Sequence, residues 1–346
     1  METLETNAPK KAITRRDMRQ MIAKQPVNRR EIRHQVDLYY QLQDYRKGGA
    51  NQQRAAEESD EPVGAFSKSI QDTLSKTEEE IKRYLDELMD ATVIGAWAKS
   101  IVGIGPVISA ALLAHIDIRQ APTVGHIWRF AGLDPTQHWL GAAKAKARVD
   151  AHVEAGESLE VAIPHLAVEI GCKHETLWKF ATTDRDGEPI KLTKASLTKA
   201  AAKRPWNAAL KVVCWKIGES FVKIHNNPDG FYGHIYMARK IQEEAKNERG
   251  DFSEQAAYVL DTKNIGKTTE AWKWYSTGKL PPAHIHARAK RYAVKLFLSA
   301  WHEVAYFAEF GVMPPKPYVI EHLGHADMIH PPNMHLVPGL AEAHGR

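Results

Sequence analysis

Apolar residues along this chain recur at three- and four-residue intervals, the period of helices that are packed on one side. Residues 14–46 carry such a stripe in Ile32, Val36, Leu38, Tyr39 and Leu42. The pattern predicts one or two polar helices there, interrupted afterwards by the glycine-rich stretch KGGANQQRAAEESDEPVG. A long amphipathic helix is predicted over 66–90, where Phe66, Ile70, Leu74, Ile81, Leu85 and Leu88 share a face. Its apolar side suits a partner helix. A short helix over 127–131 should end at Gly132, with others around 158–171 and 173–182. A buried stripe runs through Leu210, Val213, Cys214, Ile217, Phe221 and Ile224, and another through Ala289, Ala293, Leu296, Ala300, Val304 and Phe307. No stretch alternates as a half-buried strand does. The expected fold is therefore all-α and multi-helix.

The stretch IVGIGPVISAALLAHI at 101–116 refines this picture. Ile94, Trp97, Ala98 and Ile101 before it, and Val107, Ala110, Ala111, Leu113 and Ala114 within it, predict two short helices around Gly103-Ile104-Gly105. Pro106 suits the first turn of the second helix, where its missing N–H removes no bond. The unpaired amides that open this helix form a ready anion site. The region 94–116 resembles a helix-hairpin-helix, a module that grips a phosphate backbone through the amides around Gly103, Ile104, Gly105 and Val107. The alternative is an ordinary helix corner with no ligand.

Composition narrows the class. At 346 residues, 43% hydrophobic and 26% charged, the chain can bury a sizeable core. No apolar run approaches the roughly 20 residues of a membrane span, and no signal-peptide core opens the sequence, so a cytoplasmic protein is expected. The two cysteines, Cys172 and Cys214, are far apart and indicate buried thiols rather than a disulfide framework.

Charge is unevenly spread. From Lys10 to Lys47 there are eleven Lys/Arg against four Asp/Glu, and from Glu57 to Asp90 eleven acidic against four basic residues. This suits a basic arm lying on nucleic acid, or two helices pairing by charge, or merely solvated faces. Arg288, Arg291 and Lys295 recur on one side of a later helix as a cationic ridge that could follow phosphates.

Longer motifs now become recognisable. IVGIGPVISAALLAHIDI, then WRFAGLDP, then KRPWNAALKVVCWKIGESFVKIHNNPDGFYGHIYMARK together resemble the carboxyl-terminal helical domain of the transposases of insertion sequences 110, 116 and 902. The likeness is good over 97–141 and looser over 191–240. It implies DNA binding in a prokaryotic mobile element or phage, close to the nucleoid, with RNA as a second possible partner. The expected contacts are the hairpin amides with Lys99, Arg129, Lys144, Lys146 and Arg148, and then Lys203, Arg204, Arg288, Arg291 and Lys295. Full members of that family also resemble two-part recombinases, with a RuvC-like nuclease half and a nucleophilic serine soon after the GL-x-P segment. Here the amino-terminal region has no strand pattern for such a half. Only Thr136 follows AGLDP closely, with His138 as a conjectural base.

Four segments are expected: a basic helical arm and linker at 1–62, the amphipathic helix plus hairpin at 63–150, a transposase-like helical region at 151–260, and a basic helix with a carboxyl-terminal tail at 261–346. The primary reading is a DNA-binding protein that lacks strand-transfer chemistry, forms a homo-oligomer through the 66–90 helix and needs no cofactor. The alternatives are an active transposase or recombinase subunit and a helical interaction scaffold. Gly266-Lys267-Thr268 lacks the first glycine of a P-loop because Asp261 stands there, which excludes nucleotide hydrolysis. Trp272, Trp274 and Tyr275 either pack or stack on bases. His322, His325, His330 and His335, with Glu321 and Asp327, lie in a proline-broken tail that suits docking better than a metal, and no metal is expected.

Overall fold

The computed structural model describes residues 13–24, 28–61, 63–315 and 329–345. Over these residues the chain is helical, with one isolated bridge between Thr183 and Pro189 as its only extended pairing. Helices α1 (Arg15–Lys24), α2 (Arg29–Glu58) and α3 (Ala65–Asp90) lead into the shorter α4 (Val93–Lys99), α5 (Pro106–His115) and α6 (Val124–Phe130). Then come α7 (Gly141–Glu154), α8 (Leu159–Ile170), α9 (His174–Thr182) and α10 (Lys194–Ala201). The remainder holds α11 (Ala208–Lys223), α12 (Phe231–Glu248), α13 (Ser253–Thr262), α14 (Glu270–Ser276), α15 (Pro282–Phe310) and α16 (Leu340–Ala343). No described helix is long and apolar enough to cross a membrane.

One expectation fails here. Gly48 and Gly49 do not break the first long helix; α2 runs through them to Glu58. The reason is tertiary. Gly48 faces open space and a side chain at Gly49 would meet only the far end of the flexible Gln71 side chain, so neither glycine sets the helix spacing; α2 packs along α3 and α5, and that packing outweighs a propensity loss of about 1 kcal/mol per glycine. Opposite charges on α1, α2 and α3 also find each other. Arg46 of α2 pairs with Glu78 of α3 at 2.6 Å, and from α1 Arg15 and Arg19 reach Glu87 of α3 at 3.4 and 2.5 Å.

The main core draws on α2 to α6, α11, α12, α15 and the tail, from Ile32 to Leu340. Helix α15 is its spine. Trp97 of α4 stacks on Phe297 at 6.2 Å, and Phe297 meets Phe221 of α11 and Tyr232 of α12 edge-on. The expected stripes on α11 and α15 face this core, except that Ile224, Leu296 and Phe307 are only half-buried. The Ile81, Leu85 and Leu88 end of the α3 stripe is buried within the same chain, while Phe66 and Ile70 stay exposed. The carboxyl-terminal segment returns to α4, where the Trp97 indole donates to Pro332 O at 2.8 Å and the Asn333 amide to Ser100 Oγ at 2.9 Å. Glu321, His322, His325 and Asp327 lie outside the described residues.

A second core is contiguous in sequence. Ala145 and Val149 of α7 pack with Ala162, Ile163, Leu166 and Ala167 of α8, Leu177 of α9 and Leu197 of α10. Helices α7 to α10 thus form a four-helix unit between α6 and α11.

Glu243 on α12 is 1% exposed and is held by Arg288 at 2.6 Å and Arg239 at 2.5 Å. Burial would raise its carboxyl, but the hydrogen bond and charge of Arg288, then those of Arg239, outweigh that and hold it below the usual range. Its contribution is therefore complete above the ordinary value of 4.5 and is lost as pH falls through the lower folded value. Glu243→Gln is expected to cost about 2–3 kcal/mol at neutral pH, with the gap to wild type closing as urea melts are carried below pH 4. A gap that persists in acid would show that shape, not charge, is what Glu243 supplies.

Candidate nucleic-acid interface

The end of α6 and the loop after it are tied to the segment after α10 by three hydrogen bonds. Asn207 N donates to Phe130 O at 2.8 Å, the Gln137 amide to Pro205 O at 3.2 Å, and the Trp139 indole to Ala202 O at 2.9 Å. Gly132 makes this possible. It lies at φ +66°, and a side chain there would come within 2.7–2.9 Å of the Trp206 indole. Gly171, which ends α8 at φ +75°, closes just as tightly on Thr136, whose carbonyl would be 1.9 Å from an added Cβ. The loop 132–139 is thereby wedged between the main core and the α7–α10 unit.

A groove of about 640 Å³ opens along this seam, lined by His126, Arg129, Lys173, Phe180, Lys203 and Arg204 among others. His126 and Arg129 also line a neighbouring hollow with Trp128, Asp134 and Lys295. Two cations of the groove lining, Lys203 and Arg204, lie over aromatic faces, as do Lys295 of the neighbouring hollow and Lys211 of α11. Lys203 sits 3.6 Å from the Phe180 ring centre, Arg204 4.3 Å from Trp139, Lys211 3.9 Å from Trp206 and Lys295 4.8 Å from Trp128. Among the described residues, Lys173, Lys203, Arg204, Lys211, Arg291 and Lys295 form no ion pair with a carboxylate. Loss of water, followed by repulsion from Arg291 and Arg204, pushes the Lys211 ammonium below its ordinary range. Burial also lowers Lys295, opposed by Asp134 and reinforced by Arg291. Positive charge is thus gathered without enough protein anions to balance it.

Other basic residues singled out in the sequence are placed differently. Lys99 turns inward to Asp86 and to Asp90, the latter at 2.7 Å. Arg288 is bound to Glu243, away from Arg291 and Lys295 in role though on the same helix. Lys146 pairs with Asp150 at 2.6 Å and Arg148 with Glu169 at 2.9 Å, while Lys144 is exposed on α7. Arg129 spans Asp134 at 3.2 Å and Gly171 O at 2.5 Å. The structure therefore brings together Arg129, Lys203, Arg204, Arg291 and Lys295. It adds His126, Lys173, Lys211 and the aromatic floor, which the sequence signals only as tryptophans adjacent to basic residues in IWR and KRPW.

The turn between α4 and α5 has the expected backbone, with Gly103 at φ +93° and Pro106 opening α5. Its two glycines differ in purpose. The space beside Gly103 is filled by Ser220, 2.9 Å from an added Cβ, and by Ile224; the Ser220 hydroxyl donates to Gly103 O at 2.5 Å. Gly105 is extended at φ −89° and exposed, with open space where a side chain would stand. Ile104 and Val107 are buried and the Ile104 N–H already donates to Ile101 O at 2.9 Å, so among the expected hairpin contacts Gly105 is the exposed one.

Thr136 is engaged by Asp134. Its hydroxyl donates to Asp134 Oδ1 at 2.8 Å, and its N–H donates to the same oxygen at 2.9 Å. Burial disfavours ionisation of Asp134, but the Thr136 N–H and hydroxyl, then the charges of Arg129 and Lys295, outweigh it and hold the carboxyl below the usual range. Such a carboxylate is a weak base. No hydrogen bond joins Thr136 to the His138 side chain among the described residues.

Residues 96–154 match the model of the Transposase IS116/IS110/IS902 family. The match begins within α4, includes the α4–α5 turn, α6 and the wedged loop, and ends with α7. No curated protein and no solved structure matches the chain.

Proposed function

With a transposase-type segment at 96–154 as the premise, we propose that this protein binds DNA in the groove between its main core and the α7–α10 unit, as a backbone-gripping protein without strand-transfer chemistry of its own. The observation that carries this reading is the cluster of Lys203, Arg204, Lys211 and Lys295 in and beside the groove, which lack carboxylate ion pairs and lie over aromatic rings, with Arg204 and Arg291 repelling Lys211. Phosphates would relieve the repulsion, and the rings offer surfaces for bases or sugars. The amide edge at Gly105 adds a second phosphate contact in the manner of a helix-hairpin-helix. RNA shares this backbone chemistry and remains the second partner to test. A homo-oligomer would use the exposed Phe66 and Ile70 end of α3.

Binding should be dominated by phosphate contacts, so affinity for duplex, branched and single-stranded DNA should fall steeply with salt and vary little with sequence. Gly105→Asp separates the turn from the groove. The position is unstrained, and an aspartate there can cap the free amides of α5 itself, so the fold should be kept while a phosphate is excluded. We expect affinity to fall about tenfold and the salt slope to shrink by about one, read by fluorescence anisotropy, with light scattering of the same samples reporting a dimer. Unchanged binding in a folded Gly105→Asp protein would reduce the turn to a corner. Failure of wild type to bind any nucleic acid would end the proposal, and a monomer in scattering would end its oligomeric part. Metal-dependent cleavage of supercoiled plasmid would instead favour an active recombinase.

A further inference from the structure

The turn between α7 and α8 brings three metal-binding groups together, away from anything the nucleic-acid reading uses. Helix α7 ends in a glycine cap. Gly156 lies at φ +77°, its N–H donates to Val153 O at 3.0 Å and the Glu157 N–H donates to His152 O at 3.0 Å. This is the Schellman pattern, and it folds the residue after the glycine back over the last turn of the helix. The Glu157 carboxylate therefore returns to His152, reaching its Nδ1 at 2.6 Å. Ser158 caps the next helix by accepting from Val161 N, which fixes the direction in which α8 leaves. On α8, His165 brings its imidazole to 5.5 Å from the His152 ring, centre to centre, at an angle of 40°. One donor atom from each of His152, Glu157 and His165 lies within 4.8 Å of the others. Ala145 and Val149 of α7, buried against Ala162 and Leu166 of α8, hold the two helices at this spacing.

We propose that His152, Glu157 and His165 bind a zinc ion that pins α7 to α8. Two imidazoles and a carboxylate form an established donor set for this metal, with the fourth tetrahedral position left to water. Oxygen-rich ions such as magnesium and calcium are disfavoured by two nitrogen donors out of three. The backbone cap holds two of the three ligands in place before the ion arrives, so little ordering remains for binding to require. The ion would replace the hydrogen bond between His152 and Glu157 with bonds to both and draw His165 in from the facing helix. The α7–α10 unit, in which α9 and its N-cap residue supply Phe180 and Lys173 to the groove, would be stiffened as a result.

The test uses the full-length protein stripped with a chelator and then dialysed. Titration with zinc chloride by calorimetry should show one equivalent bound, the thermal midpoint should rise with zinc, and cobalt(II) should give the intense visible absorption of a tetrahedral site that zinc then bleaches. His165→Ala, at an exposed position, should weaken zinc binding by more than about a hundredfold, beyond what the loss of an outer-sphere partner does. Glu157→Gln keeps the shape of the turn and should act in the same direction. His322→Ala with His325→Ala, in the tail, should leave binding intact. The proposal is overturned if wild type binds no zinc, or if binding survives in both His165→Ala and Glu157→Gln, or if it is lost only in the tail variant.

Discussion

Replacing Lys203, Arg204 and Lys211 together by alanine is expected to weaken DNA binding by about a hundredfold or more at physiological salt. The log–log salt slope should fall by roughly three, one for each phosphate contact removed. These three cations are the clearest candidates because the fold does not need their charge: none pairs with a carboxylate among the described residues, and Arg204 and Lys211 repel each other. Each does rest on a ring, at 3.6, 4.3 and 3.9 Å. Loss of those contacts, about 0.5–1 kcal/mol each, is partly offset by relief of the repulsion, so the thermal midpoint should move by only a few degrees. Arg129 makes the instructive contrast. It bridges Asp134 and Gly171, so Arg129→Ala should lose stability as well as affinity. Anisotropy titrations at several salt concentrations check this, and a triple variant with an unaltered slope would move the interface elsewhere.

Much of this was legible in the sequence. Helical periodicity, capping glycines and Pro106 foretell the elements, because these are local properties that tertiary contacts rarely reverse. Where they were reversed, at Gly48 and Gly49, the packing of α2 along α3 and α5 carried the helix through. The site was harder to read. A count of basic residues cannot tell Lys99, which faces Asp86 and Asp90, from Lys203, which faces a ring. That difference depends on segments far apart in the chain, such as the strap from Phe130 to Asn207. The same holds for the two glycines of the hairpin turn. Sequence gives both the same meaning, yet one faces Ser220 and the other faces open space.

The second large effect concerns Gly132 in the AGLDP segment. Gly132→Ala is expected to cost about 3 kcal/mol. Roughly 1–2 kcal/mol of this comes from placing a side chain in the left-handed region. The rest comes from pushing back the Trp206 indole, which would stand 2.7–2.9 Å from the new methyl. Gly187→Ala is the matched control. It carries the same kind of backbone, φ +93°, but has open space around it, so it should cost about 1 kcal/mol. Because Lys211 rests on Trp206, the Gly132 variant should also bind DNA more weakly, whereas the control should not. Urea denaturation gives the stabilities. Equal losses at the two positions would mean that Trp206 yields freely and that the motif glycine serves the turn alone.

The contiguity of the second core bears on the order of events during synthesis. Its buried residues run from Ala145 to Ala201, while the main core includes Val337 and Leu340 near the far end of the chain. A nascent chain that has emerged through α10 already holds every apolar side chain the smaller unit needs, and units of this kind fold as they appear. The larger body must wait for almost the whole sequence. One wall of the groove is thus set before the other exists, and protease resistance in ribosome-stalled chains should arise first over 141–202. Protection that appeared everywhere at once, only at full length, would contradict that order.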